Sequence, residues 1–437
     1  MRHATRPDRP SPSRLPHDSL ARALTGAARW LAHVLSGRSL DDVTGAGPDL
    51  GDPQLPAIRD LTYRALRAYG RDERKLSILL SRKPADPMHY ALLLVAIERL
   101  QSRPDSAHTT VSQAVEAARV LGGERCAGLV NAVLRNAQRR GPELSAAVQG
   151  NDAAYWQHPS WWIERVRADH PHAWQQVLEQ GNVQAGMALR VNPRRCSVAA
   201  YLEALAAAGI GARAVGVQGV LLDQPCPVSL LPGFDRGWAS VQDLGAQQAA
   251  LRLDVQAGMR VLDACAAPGG KTGHVLELAD CDLLALDLSP ARSQRVTDTL
   301  HRLDLSARVV SADCAQPHTW WDGRHFDRIL ADVPCSASGV VRRHPDAKWL
   351  RRADDVARFA RTQRRILEAL WQVLAPGGKF LYATCSVFRT ENQDQVAEFV
   401  QRHDDCNRLP LDAGADIQLL PRPEHDGFYY ALLQKRA

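Results

Sequence analysis

Val261-Leu-Asp-Ala-Cys-Ala-Ala-Pro-Gly-Gly-Lys-Thr272 is the stretch on which the fold turns. It begins as a short apolar run suited to a buried strand, turns through Pro268, Gly269 and Gly270, and runs on as a helix to about Ala279. Glycine lets backbone come close to a ligand, and the helix N-terminus behind it offers free N–H groups. Three ligands compete for such a loop. A phosphate-binding P-loop needs glycine five residues before Gly270, where Cys265 stands, so only the GKT ending matches. A dinucleotide loop needs GxGxxG, which is absent. The reading that remains is S-adenosylmethionine, for which no phosphate has to be cradled.

Working outward, VLDACA, LLALD, ARVVSA, FDRILADV and KFLYATC are short apolar runs alternating with helical segments, each closed by a turn or an acid. That alternation predicts βαβ units on a parallel sheet. Asp287 closes the second run, where a carboxylate binds ribose hydroxyls, and Asp313 follows the third, placed for an adenine contact. A single acid after a strand is ordinarily a turn or cap residue. Three in register, counting Asp332 after the fourth run, favour a site.

Two cysteines also fall at strand ends, Cys335 in Asp332-Val-Pro-Cys-Ser and Cys385 in Ala383-Thr-Cys-Ser. Ligands bind at the carboxyl edge of such sheets, so both thiols are expected at the cofactor crevice. Cytosine C5 is too weak a nucleophile to take a methyl group from a sulfonium unaided. Thiolate addition at C6 makes it enamine-like, after which C5 is methylated, loses its proton, and the thiol is eliminated. An acid near N3 or the exocyclic amine assists, a role for Asp332. Spacing does not say which thiol attacks. Cys126, Cys196, Cys226, Cys281, Cys314 and Cys406 read as ordinary buried cysteines.

The rest of the chain frames this half. Residues 1–17 combine Arg, Pro and Ser without periodicity and read as a disordered basic tail. Residues 18–142 show helical apolar spacing, as in Leu92, Leu93, Leu94, Ile97 and Leu100, and predict an all-α bundle. Residues 143–237 mix an aromatic cluster, an Ala-rich helix at Val198–Ala208 and short strands, which predicts a small α+β linker subdomain; 238–437 form the α/β Rossmann-like methyltransferase domain. At 437 residues, several cores are expected. The nine cysteines are scattered without CxxC or paired histidines, which argues against disulfides or a metal site and fits a reducing cytoplasm. No apolar run is long enough for a membrane span, so no membrane partner is expected. A net charge of +6 is compatible with a polyanionic partner.

DACAAPGGKT (263–272), DVPCSASGVVRRHPDAKWLR (332–351) and LYATCSVFRTEN (381–392) resemble the Sun family of RNA cytosine-C5 methyltransferases. The likeness spans nearly the whole chain after the tail. VSQAVEAA (111–118) and GLVNAVLRNAQR (128–139) are similar to the family's RNA-binding NusB-like domain, HPSWW, LRVN and WASVQDLGAQ to its linker segments, and DGFYYALL (426–433) to its closing strand. The resemblance implies that Cys385 is the nucleophile and Cys335 resolves the adduct. It further implies S-adenosylmethionine contacts at Cys265, Ala266, Ala267, Pro268, Gly269, Gly270, Lys271, Asp287, Asp313 and Asp332. Unassembled 16S rRNA is the implied partner, and the protein is implied to act as a monomer. One departure stands out: Val333 replaces the family's usual alanine, which predicts a tighter base pocket.

Between 342 and 352 five Arg or Lys accompany one Asp beside Trp349, and the position next to Cys335 predicts RNA contacts from Arg342, Arg343, His344, Lys348 and Arg351. Arg135, Arg139 and Arg140 either extend that footprint or cap a helix. The target cytosine must be unpaired or flipped. Two other functions compete. A DNA cytosine methyltransferase needs only the Cys335-type thiol, so the second thiol and the helical half oppose it. A non-catalytic RNA-binding or antitermination factor is opposed by the intact set of acids, thiols and glycines.

Overall fold

The computed structural model describes residues 15–44, 53–412 and 414–437, so the expected basic tail lies outside it but for its last three residues. The chain forms two compact units. One comprises the residues up to Val183 together with His344–Arg351, and the other Gln184–Arg343 with Arg352–Ala437.

The first unit is helical. Helix Leu20–Leu35 starts where the Ser19 side chain accepts a hydrogen bond from the Arg22 N–H. Helix Pro87–Ser102 has Asp86 as its cap and proline at its first position. Its residues Tyr90–Ile97 are all buried, so it is apolar all round and occupies the centre, against Leu24, Ala27, Leu31, Leu61, Val130 and Leu134. Helix Ala107–Arg139 kinks at Gly122–Gly123. Short helices continue the unit to Gln180. His344–Arg351 completes this unit with a one-turn helix at Ala347–Leu350. Trp349 Nε1 donates to the Leu66 carbonyl at 2.8 Å, its ring meets Tyr69 edge-on at 4.8 Å, and Asp346 accepts from the Leu40 N–H at 3.0 Å.

The second unit holds two sheets. The smaller is antiparallel, β1 (Ala188–Val191), β2 (Ala212–Val215), β3 (Gly219–Leu222) and β4 (Ala239–Val241) in the order β2-β3-β1-β4. Helix Val198–Ala207, capped by Ser197, packs Tyr201 and Leu205 on Leu189, Val191 and Val220. This is the expected α+β linker.

The larger sheet comprises β5 (Arg260–Asp263), β6 (Asp282–Asp287), β7 (Arg308–Ser311), β8 (Phe326–Asp332), β9 (Leu374–Thr384), β10 (Cys406–Leu409), β11 (Ile417–Leu419) and β12 (Phe428–Lys435). β7-β6-β5-β8-β9 run parallel, β12 lies antiparallel on β9, and β10 and β11 pair with β12. Side-chain alternation divides the core into two layers. Leu262, Ile329 and Phe380 pack against Ile366, Leu370 and Phe399 on one face. Val261, Leu330 and Leu381 pack against Leu253, Val275, Val296 and Leu300 on the other. Burial on both faces is why these strands read as continuous apolar runs. Strand order reverses between β5 and β8, and a crevice opens beyond their carboxyl ends.

Candidate active site

The crevice is a cavity of about 310 Å³ lined by Cys265, Asp287, Asp313, Asp332, Cys335 and Cys385, among others. Each stands at or just after a strand end, so the sheet brings together residues up to 120 positions apart in sequence (265 to 385).

On the cofactor side, the loop after β5 turns at Gly269, whose φ of +98° suits glycine alone. A Cβ there would lie 3.1 Å from both Val296 Cα and Thr299 Cβ, so the loop is pressed onto helix Pro290–Leu303. Buried Asp287 accepts from the Ala267 N–H at 3.3 Å and the Ser289 N–H at 3.1 Å, and pairs with Arg292 at 3.3 Å. Asp313 accepts from the Ala315 N–H at 3.0 Å and pairs with Arg365 at 3.4 Å. Both acids thus make the turn contacts of an ordinary post-strand residue and still face the cavity. Ala267 also lines it, whereas Ala266, Pro268, Gly269, Gly270 and Lys271 form the frame of the loop rather than the cavity wall. Two carboxylates beside closely approaching backbone suit the hydroxyl and amine groups of an adenosine-bearing cofactor such as S-adenosylmethionine.

On the chemical side, Cys335 Sγ and Cys385 Sγ are 3.4 Å apart. The hydrogen bond and charge of Cys385, burial, and the charge of Glu391 hold the Cys335 thiol well above its usual pKa. Lys271 Nζ donates to Asp332 at 2.6 Å. Burial opposes the lysine charge, but Asp332 outweighs it, with help from Cys385 and Asp263, and the ammonium is held above its ordinary pKa. Val333 borders the cavity yet is buried in the apolar layer with Ile329 and Ile366.

Three supporting groups went unread in the sequence. Asp263 is buried at the end of β5, accepts from Thr272 Oγ1 at 2.7 Å, and burial raises its pKa to about 7. Arg190 on β1 is buried against Glu277 at 2.8 Å and donates to the Gly270 carbonyl at 2.8 Å, so the linker sheet braces the cofactor loop. Glu391 is a buried carboxylate behind the two thiols. Single charges inside otherwise apolar or motif-like text carry no periodic signal that would find them.

The basic run does not form the exposed face expected of it. Arg342 is buried and bonded to Asp426 and the Arg422 carbonyl, and Arg343 bonds to Asp426 and Asp243. Lys348 is buried in the helical unit, where its ammonium donates to Asn182 Oδ1 at 2.7 Å and the Gln157 carbonyl at 3.0 Å. Burial and Arg67 push its pKa well down. A charge taken out of water needs such partners, and they occupy it. Of the five residues only His344 is exposed, while Arg351 is half-buried. Arg135 and Arg139 are exposed, and Arg140 pairs with Glu143.

A parallel sheet in this order, closed by an antiparallel strand and carrying an acid-lined crevice beside paired thiols, defines a Rossmann-like methyltransferase. Comparison with known proteins narrows the class. Residues 250–434 match the model of the 16S rRNA methyltransferase RsmB/F family, 158–229 the ferredoxin-like domain of RsmF/B-like methyltransferases, and 22–139 the NusB family. Ribosomal RNA small subunit methyltransferase B of Vibrio cholerae is 43% identical over 94% of this chain and 96% of its own. The protein of the same name from Pseudomonas putida is 42% identical over 94% and 98%. The solved structure of PH0851 shares the fold at a TM-score of 0.79 and 22% identity, covering 94% of this chain and 99% of that one. The chain belongs to the RsmB/F family of 16S rRNA methyltransferases.

Proposed function

We propose that this protein transfers a methyl group from S-adenosylmethionine to C5 of a cytosine in 16S rRNA, through a covalent adduct between Cys385 and C6. The 3.4 Å approach of two strand-end thiols beside Asp332 carries this reading, because C5 methylation needs a nucleophile, a proton carrier and an acid in one cleft. S-adenosylmethionine, when bound, supplies the electrophilic methyl; Asp287 and Asp313 are the residues that would hold it. Asp332, steadied by Lys271, accepts from the exocyclic amine of the base and orients it for addition. Cys385, its thiol proton lost to solvent, adds to C6 as a thiolate, and the C5–C6 π pair moves to C5, which takes the methyl group. Once Cys385 is bound as a thioether, Cys335 gives its own proton to solvent and, as a thiolate, takes up the C5 proton. Elimination then restores the base and releases Cys385.

The target base must leave its stack to reach the thiols, which favours single-stranded or unassembled RNA. The helical unit's match to the NusB family supports RNA as the substrate over DNA. The test is incubation of purified protein with labelled S-adenosylmethionine and either deproteinised small-subunit rRNA, assembled subunits or DNA, followed by mapping of the labelled base. Label at one cytosine C5 of free rRNA is expected. Label on DNA, on another atom, or nowhere overturns the reading.

A further inference from the structure

Behind the thiols lies a buried carboxylate to which the mechanism assigns no step. Glu391 accepts from the Ser336 N–H at 2.8 Å and from Gln363 Nε2 at 3.3 Å on one oxygen. Its other oxygen accepts from Ser336 Oγ at 2.5 Å and Ser386 Oγ at 2.6 Å. Ser336 follows Cys335 and Ser386 follows Cys385, so one side chain joins the backbones that carry the two sulfurs.

The surrounding bonds serve the same end. Ser338 Oγ lies 2.9 Å from Ser386 Oγ and accepts from the Val387 N–H at 2.8 Å. Gln363 also donates to the Pro334 carbonyl at 2.9 Å. Asn392, next in sequence, accepts from Thr384 Oγ1 at 2.6 Å and donates to the Ser386 carbonyl at 2.9 Å, so both neighbours of Cys385 are held. Glu391 and Asn392 are fully buried. Four donors converging on two oxygens suit an ionised carboxylate, even though burial raises its pKa. The desolvation cost of such a group is met only by a complete set of partners, and here three of the four donors belong to the two thiol loops.

We propose that Glu391 is the positioning residue of the two-thiol site, fixing the separation of Cys335 and Cys385 by binding Ser336 and Ser386 together. The proposal rests on the two-thiol reading for its catalytic consequence, but the sulfur separation has a readout of its own. Diamide oxidises neighbouring thiols: two S–H groups give up two protons and two electrons to its N=N bond, leaving one S–S bond and the hydrazine. The rate of Cys335–Cys385 disulfide formation, followed by peptide mass mapping, therefore reports how often the sulfurs meet. Cys265 and Cys314, 3.9 Å apart and untouched by Glu391, provide an internal reference in the same chain.

Glu391→Ala is expected to slow Cys335–Cys385 disulfide formation and kcat roughly tenfold or more, since an ångström of misplacement suffices for such losses. The Cys265–Cys314 rate and the Kd for S-adenosylmethionine should stay within about twofold, on the same argument. Glu391→Gln keeps the shape and one carbonyl acceptor, while both serine hydroxyls can turn to accept from its amide, so it should restore most of both rates. Ser386→Ala, which removes one arm of the clamp and leaves no charge unpaired, guards against Glu391→Ala failing to fold and should slow the same two rates. An unchanged disulfide rate or an unchanged kcat in either folded variant overturns the proposal. Failure of the two-thiol reading would show separately, as normal methylation by Cys385→Ala.

Discussion

At the scale of single residues, the two sulfurs touch, and their removal should have different consequences. Cys385→Ala should abolish methyl transfer and leave S-adenosylmethionine binding intact by calorimetry; normal turnover would remove it as nucleophile. Cys335→Ala should still form the adduct but release it slowly, leaving a denaturant-resistant protein–RNA band on a gel. Asp263 makes a different prediction. Its folded pKa of about 7 lies above the ordinary 3.8, so between those values the folded chain holds a proton that the unfolded chain has lost. Stability contributed by this group is therefore full below about pH 4 and falls as pH rises towards 7. Asp263→Asn should flatten that part of the melting-temperature profile, and an unaltered slope would assign the titration to another group.

At the scale of elements, the loop after β5 tolerates side chains unequally. Gly269→Ala forces a positive φ on alanine and pushes its Cβ against Val296 and Thr299, a cost of about 1–2 kcal/mol that should also weaken S-adenosylmethionine binding. Gly270→Ala meets only Gln242 Nε2, at 3.7 Å, and should fold with near wild-type stability. Equal effects of the two in thermal melts would refute this account. The parallel strands and the strand-end acids and thiols were legible because burial on both faces writes itself as apolar runs, and turns write themselves as Gly, Pro and Asp. The antiparallel linker sheet was legible only in part, since β2 has two exposed positions and no clean alternation. Arg342 and Lys348 were misread because composition counts charges without saying whether backbone carbonyls have claimed them. Glu391 was inside a motif quoted for its resemblance, and nothing in linear text shows that it faces two serines 55 and 5 residues away.

At the scale of the whole molecule, the helical unit draws on a second, distant piece of chain. Trp349 sits on Leu66 and Tyr69, and Lys348 on the carbonyls of Gln157 and Asn182. Trp349→Ala should cost about 3–5 kcal/mol. Hydrogen exchange should show the loss around Leu66–Tyr69 rather than along β5 to β9; protection lost evenly across the chain would contradict that placement. The same insertion sets an order of events during synthesis. Translation proceeds at roughly 5–20 residues per second, so a helical half whose main body ends at Val183 waits on the order of ten seconds or more for its last piece, at His344–Arg351, to leave the ribosome. The N-terminal helices emerge first and are completed late, and the module cannot be separated from its catalytic partner by a single cut in the gene.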